Sequence, residues 1–346
     1  MGRFVPALEF NGAFYAEAVA PLLDRWPHSA ARLGFGSEVL GFDTERSTDH
    51  GWGPNLLIFV APEDVTAARA AVEAGLPATF AGWPVWYHRG GVTPVTHHVV
   101  VESWPGWLRQ QLGRDPTLGL STVDWLLLPQ QKLLEVTRGA VYRDDESELA
   151  RTRQQLSWYP DPVWLWMIAC QWRRIAQEEA FVGRAAEVGD ELGSRVVAAR
   201  LVREVMRLWF LFHRSYWPYS KWFGSAFRQL PDNAGLLAAL SDVLAASSHP
   251  GREAALAAAY EIVAARHNGL GITDEVEPTV RPYYGRPFRV LMADRFVEAC
   301  LASLGDHRLA AFELVGSVDQ VADSTDLLSS PERVSRMRSL YGPVDG

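Results

Sequence analysis

The sequence predicts an α+β chain, a mixed sheet with helices first and an α-helical bundle after it. Short apolar runs punctuated by Gly and Pro alternate with helical spacing over the first hundred or so residues. Beyond residue 104 nearly every apolar stretch carries a helical repeat instead. A length of 346 residues also suits two domains at about 150 residues each.

The elements follow in order. Phe14, Ala18, Val19, Leu22, Leu23 and Trp26 share one helical face, and Pro27 stops the run. Ala31 to Phe35 reads as a strand, followed by a Gly-Ser bend, a polar loop to Asp49 and a strand from Asn55 to Val60. Ala61 to Ala74 reads as a helix with acidic residues at its positive end. Trp83 to Arg89 and His97 to Ser103 read as strands around the turn-rich Gly90 to Pro94. Helices are expected over Trp107 to Leu112, Thr122 to Thr137, Val163 to Phe181, Arg195 to Tyr216, Ala234 to Ala246, Arg252 to His267 and Arg289 to Leu304. Pro160 to Pro162 and Thr273 to Pro287 read as loops. The expected organisation is thus 1–120 for the sheet domain, 121–323 for the helical domain and 324–346 for a frayed tail.

Composition narrows the function. Thirty-three basic and forty-one acidic residues give a net charge of −8, so there is no overall positive field for nucleic acid or an anionic membrane. The most apolar stretch, Val163 to Cys170, is far short of the roughly 20 residues of a membrane helix. Two distant cysteines and the absence of an apolar leader point to a cytoplasmic protein without disulfides, with Cys170 as inert core. Lysine occurs only at 132 and 221, whereas the 14 tryptophans are unusually many and supply core and interface filler or a stacking wall.

The chemistry concentrates between Gly34 and Trp52. A strand ending in Gly36-Ser37 offers backbone N–H groups and a hydroxyl to an anion. Asp49, separated from Ser37 by an intervening loop of eleven residues, is placed to hold a divalent cation over the same phosphates. In order and spacing this segment resembles the nucleotidyltransferase superfamily of DNA polymerase β and kanamycin nucleotidyltransferase, whose pattern is Gly-Ser followed by Asp-x-Asp or Asp-x-Glu.

Seven stretches are similar to a bacterial family of unknown function, DUF4037: Gly-Ser-Glu-Val-Leu-Gly-Phe-Asp-Thr, Ser-Thr-Asp-His, Trp-Gly-Pro, Leu-Pro-Gln-Gln-Lys-Leu-Leu-Glu, Gln-Trp-Arg-Arg-Ile, Gln-Glu-Glu-Ala-Phe-Val-Gly-Arg and Pro-Tyr-Ser-Lys-Trp. That resemblance spans about residues 8 to 305 and implies a nucleotidyltransferase-like domain followed by helices. The superfamily resemblance implies an enzyme transferring NMP from NTP·Mg²⁺ to a small-molecule acceptor, with Gly36 and Ser37 on the nucleotide and Glu178 or Glu179 as base for the acceptor hydroxyl; Lys221, one of only two lysines, with Tyr219 beside it, is a further candidate to meet a phosphate or a carboxylate. Two departures stand out: Gly51 replaces the second carboxylate, and Val100 falls where the third is expected. Glu102, two residues on and on the same strand face, is the candidate substitute as second metal ligand beside Asp49. These departures also fit a catalytically degenerate or repurposed member, a ligand-binding protein or an enzyme of specialised metabolism.

Other patterns are less specific. Gly34-x-Gly36 with Gly41 has the wrong spacing for a dinucleotide fingerprint, and His97-His98 would face opposite sides of a strand rather than share a metal. Arg207-x5-His213 resembles the motif of helical HEPN ribonucleases, but such pairs occur by chance on amphipathic helices. Arg174 and Glu178 have the spacing of a helical ion pair, on a polar seam that includes Gln171.

Overall fold

A computed structural model describes residues 4–49, 52–88 and 94–342. The chain forms two units, Met1–Leu120 with Gln130–Ser157, and Ser121–Pro129 with Trp158–Gly346.

In the first unit α1 (Ala7–Phe14) continues through a π turn, Tyr15–Val19, and a 3-10 turn, Ala20–Leu22. The helical stretch starts seven residues ahead of the expected Phe14 because Ala7 and Phe10 extend its buried stripe backward. It is followed by β1 (Ser29–Arg32), β2 (Asn55–Phe59) and α2 (Val65–Gly75). The expected strand over 83–89, whose Arg89 lies outside the described residues, is instead broken. β3 (Thr79–Phe80) pairs with β4 (Trp83–Pro84), whereas β5 (Trp86–Tyr87) pairs with β6 (Thr96–Glu102), and Val85 turns into the core between them.

After α3 (Trp104–Leu112), α4 (Thr122–Leu126) belongs to the second unit, while α5 (Gln130–Thr137), β7 (Ala140–Asp144) and α6 (Glu148–Gln155) belong to the first. Pro129, which has no N–H for a helix interior, divides the helix expected over 122–137. The expected single boundary at 120 is therefore a double crossing, because β7 returns to pair antiparallel with β1.

The sheet order is β5-β6-β2-β1-β7, with β2 parallel to β6 and the other neighbours antiparallel. Its period-two pattern separates two faces. Leu56, Ile58, Val99 and Val101 join Phe14, Val19, Ala68 and Val72 in the core. On the other face Phe59 meets the rings of Trp104 and Trp107 at 4.9 and 5.7 Å. Burying an aliphatic or aromatic side chain of this kind contributes about 1.5–3 kcal/mol.

The second unit is helical, with α7 (Asp161–Glu178), α8 (Phe181–Glu187), α9 (Glu191–Phe212), α10 (Ser220–Gln229), α11 (Ala234–Ala245) and α12 (His249–Gly269). A hairpin of β8 (Arg281–Tyr283) and β9 (Arg286–Val290) occupies the stretch expected as loop and the start of the following helix, so α13 (Asp294–Leu304) begins five residues late. The chain continues through α14 (Val318–Val321), α15 (Thr325–Leu328), α16 (Pro331–Ser335) and a 3-10 turn, Arg336–Tyr341. These last elements correct the expected frayed tail. Val334 and Tyr341 are buried, the Tyr341 hydroxyl donates to the Gly316 carbonyl at 2.9 Å, and Arg338 pairs with Asp124 at 2.9 Å. Among the described residues no helix is long and apolar enough to cross a membrane.

Candidate functional site

The Gly-Ser turn leaves the end of β1 and is fixed by an arginine beneath it. Arg32 is buried, and its guanidinium donates to the carbonyls of Leu33 and Phe35 and to the Glu38 carboxylate. Gly34 donates its N–H to the Glu135 carbonyl of α5 at 2.8 Å. Gly36 has φ +152°, and a Cβ there would fall 2.4 Å from the Glu38 carboxylate that Arg32 holds. After the turn Phe42 N–H donates to the Ser37 carbonyl at 2.8 Å. The N–H groups of Gly36 and Ser37 and the Ser37 hydroxyl donate to no partner among the described residues.

The segment leading to Asp49 is fastened to α1 near both ends. Asp43 accepts the N–H of Ala7 at 2.8 Å, and Asn55 donates its N–H to the Asn11 side chain at 2.7 Å. Asp49 ends a 3-10 turn, Glu45–Asp49. Its side chain lies outside the described residues, as do His50 and Gly51. The start of β2 is surrounded by rings: Trp52 meets Trp83 at 4.5 Å, and Tyr87 meets His98 at 4.3 Å and donates its hydroxyl to the Pro54 carbonyl at 3.3 Å.

Glu102 does not join this turn. Ser29, Phe59 and Glu102 lie level across the sheet, whereas the Gly-Ser turn departs from the far end of β1. Three residues of strand, roughly 10 Å, separate the two levels. The Glu102 carboxylate instead accepts the Ser103 N–H at 2.9 Å at the start of α3. Val100, on the same strand face, is 47 % exposed. Two-metal phosphoryl transfer needs carboxylates clustered around ions about 3.5–4 Å apart. Glu38 is taken by Arg32, Asp43 by Ala7 and Glu102 by its own helix start. No three His, Cys, Asp or Glu side chains gather for a metal among the described residues. The described side chains do not build a two-metal site.

The remaining candidates belong to the helical unit, and most have local partners. Glu179 is 6 % exposed and accepts the N–H groups of Leu291, Met292 and Ala293 at 2.8, 3.2 and 3.0 Å, joining the end of α7 to the approach to α13. Burial pushes its carboxyl up to about 7, against the pull of those three donors. With both oxygens engaged by backbone, Glu179 is a structural acceptor rather than the expected base. Glu178 pairs with Arg200 at 3.2 Å, not with Arg174. Arg174 instead reaches the buried Glu204 of α9 at 2.9 Å, and Gln171 donates to the same carboxylate at 2.7 Å. The polar seam is real, but it faces α9. Lys221 lies 4.8 Å from the Trp222 ring centroid, and Tyr219 precedes α10.

Sequence reasoning left Lys132 out of the site. Its ammonium pairs with Glu135 at 2.8 Å and donates to Gln111 at 3.3 Å, on the helix whose Glu135 carbonyl holds Gly34. Its place as one of two lysines, within the Leu-Pro-Gln-Gln-Lys stretch, was the available signal.

Residues 125–223 match the family profile described as a domain of unknown function, DUF4037. That range includes the stretches from Leu-Pro-Gln-Gln-Lys to Pro-Tyr-Ser-Lys-Trp and leaves the Gly-Ser and Asp49 segment outside. No curated protein matches. Among solved structures the chain is similar to a nucleotidyltransferase-like protein from Exiguobacterium sibiricum, with a TM-score of 0.36 and 12% identity, over 79% of this chain and 82% of that one.

Proposed function

We propose that this chain with a DUF4037 segment binds a nucleoside triphosphate at the Gly36-Ser37 turn, and that its reaction is transfer of NMP to a small-molecule acceptor with release of pyrophosphate. One observation carries the reading: Arg32 ties the turn through the Leu33 and Phe35 carbonyls and the Glu38 carboxylate, while the N–H groups of Gly36 and Ser37 and the Ser37 hydroxyl have no protein partner among the described residues. Preorganised donors of this kind favour an anion because their orientation is already fixed before it arrives.

Asp49 is the carboxylate left to meet the counter-ion, which the proposal takes to be Mg²⁺. A second reading is favoured by Val100, an exposed apolar residue on the strand face where a third carboxylate is expected, together with the engagement of Glu102 elsewhere. On that reading the turn still takes the phosphates, and nucleotidyl transfer has been lost to ligand binding or another reaction.

Calorimetric titration with ATP, GTP, CTP and UTP, with and without Mg²⁺, tests both. Binding that weakens at least about tenfold in Ser37→Ala supports the site. Mg²⁺-dependent binding that loses its metal dependence in Asp49→Asn, with pyrophosphate released on adding an acceptor, supports transfer. Binding indifferent to Mg²⁺ and without pyrophosphate supports the second reading. No binding of any nucleotide removes both.

A further inference from the structure

The helical unit contains an open pocket of about 340 Å³ at the start of α7, in the lower range of small-ligand sites. Leu165, Ile272 and Leu304 give it an apolar wall. Asp161, Arg214 and His307 bring charge and hydrogen bonding to it, and Trp164 brings an indole whose N–H is tied to the Leu211 carbonyl at 2.7 Å.

Arg214 breaks a local rule to be there. It follows the end of α9, where its N–H donates to the Leu211 carbonyl at 3.1 Å and that of Ser215 to the Phe210 carbonyl at 3.1 Å. These two bonds make a Schellman ending, which places its left-handed residue at position 214, and Arg214 has φ +46°. Glycine suits that position; an arginine there is strained. The guanidinium lies 3.9 Å from the centroid of the Trp164 ring and pairs with Asp161 at 2.7 Å. The side chains are 45% and 74% exposed, so the ion pair contributes little to stability and does not by itself account for the strained arginine.

The pair uses one nitrogen of Arg214 and one oxygen of Asp161, leaving further N–H donors and a second carboxylate oxygen without partners among the described residues. His307 Nδ1 accepts the Leu309 N–H at 3.2 Å, which leaves Nε2 as the ring's donor. One cation, one anion and an apolar wall in one small pocket match a molecule with both charges and an apolar arm.

We infer that this pocket binds a zwitterionic amino acid with an apolar side chain. The carboxylate meets Arg214 and His307, the ammonium meets Asp161, and the side chain lies on the wall of Leu165, Ile272 and Leu304. The site is independent of the nucleotide reading.

The test is calorimetric titration of the full chain with L-phenylalanine and L-leucine, beside 3-phenylpropionate and 2-phenylethylamine, which each keep one charge. The inference expects both amino acids to bind and each single-charge analogue to bind at least about tenfold more weakly than L-phenylalanine. Arg214→Gly restores the residue the backbone prefers, so it should keep the fold and leave Tm undiminished while binding falls by at least about tenfold; Asp161→Asn should do the same to affinity. No binding of either amino acid at ~10 mM, analogues equal to L-phenylalanine, or unchanged affinity in the folded Arg214→Gly and Asp161→Asn proteins would overturn it.

Discussion

The indole N–H of Trp172 donates to Nδ1 of His267 across 3.1 Å, inside the helical unit where both residues are fully buried. The other ring nitrogen of His267 meets the Thr273 hydroxyl at 3.0 Å, so the neutral ring carries its proton on Nε2. Protonating Nδ1 would break the bond from Trp172 and place a charge in the core.

Burial accordingly pushes His267 down to about 4. Its stability contribution is fully present above the ordinary histidine value of about 6.5 and is lost as pH falls through 6.5 toward 4. The shift corresponds to at most about 3 kcal/mol. His267→Gln should remove this acid loss, so the stability gap between wild type and variant, measured by urea unfolding, should narrow as pH falls from 6.5 to 4. A constant gap would count against it.

Glu179 works in the opposite direction. Its folded carboxyl keeps its proton up to about 7, whereas the unfolded chain releases it near the ordinary value of 4.5, so stability falls as pH rises between the two. Glu179→Gln should abolish that fall, again at most about 3 kcal/mol, while costing stability through one weakened backbone contact. Nearly opposing slopes in wild type should separate in the two variants.

Glu204 holds Arg174 at 2.9 Å, Arg207 at 3.4 Å and Gln171 at 2.7 Å, and it is 2% exposed. Burial raises its carboxyl, but the arginines and Gln171 outweigh it, and the net shift is downward. Glu204→Leu leaves buried Arg207 without this counter-charge and should cost about 3–5 kcal/mol. The double variant Glu204→Leu/Arg207→Met should cost less than the sum of its single changes in a denaturant-unfolding cycle.

At the Gly-Ser turn, Gly36→Ala drives a Cβ into the Glu38 carboxylate and strains a backbone that suits glycine. A destabilisation of about 1–3 kcal/mol and a loss of nucleotide affinity are expected together. Ser37→Ala should instead lower affinity with Tm unchanged, since its hydroxyl has no described partner to lose. Thermal unfolding alongside calorimetry separates the two outcomes.

Asn11→Leu tests the fastening of the Asp49 segment. It leaves the buried Asn55 N–H without its acceptor, at a cost of about 1–3 kcal/mol. Asp43→Ala removes only the contact to Ala7 N–H at the edge of the same segment and should cost less. Urea unfolding of both variants measures the difference.

Periodicity and punctuation alone determined the α+β class, the strands over 55–60 and 97–103 and the long helices, because burial on one face writes a repeat into neighbouring residues. The Gly-Ser turn was legible for a similar reason: its glycines take conformations that a side chain would resist. The tertiary structure decided which carboxylates remain at that turn and which have partners elsewhere. Glu179 is claimed by backbone more than a hundred residues away, Arg174 by Glu204 on another helix, and Glu102 is moved off the site by strand register. The same applies to β7, a short edge strand that gains its place by pairing with β1, and to the terminal helices, whose Tyr341 finds its acceptor at Gly316. Helical and strand periods record which side of an element is buried, but not which distant donor or charge meets it, so those pairings appear only when the chain has folded.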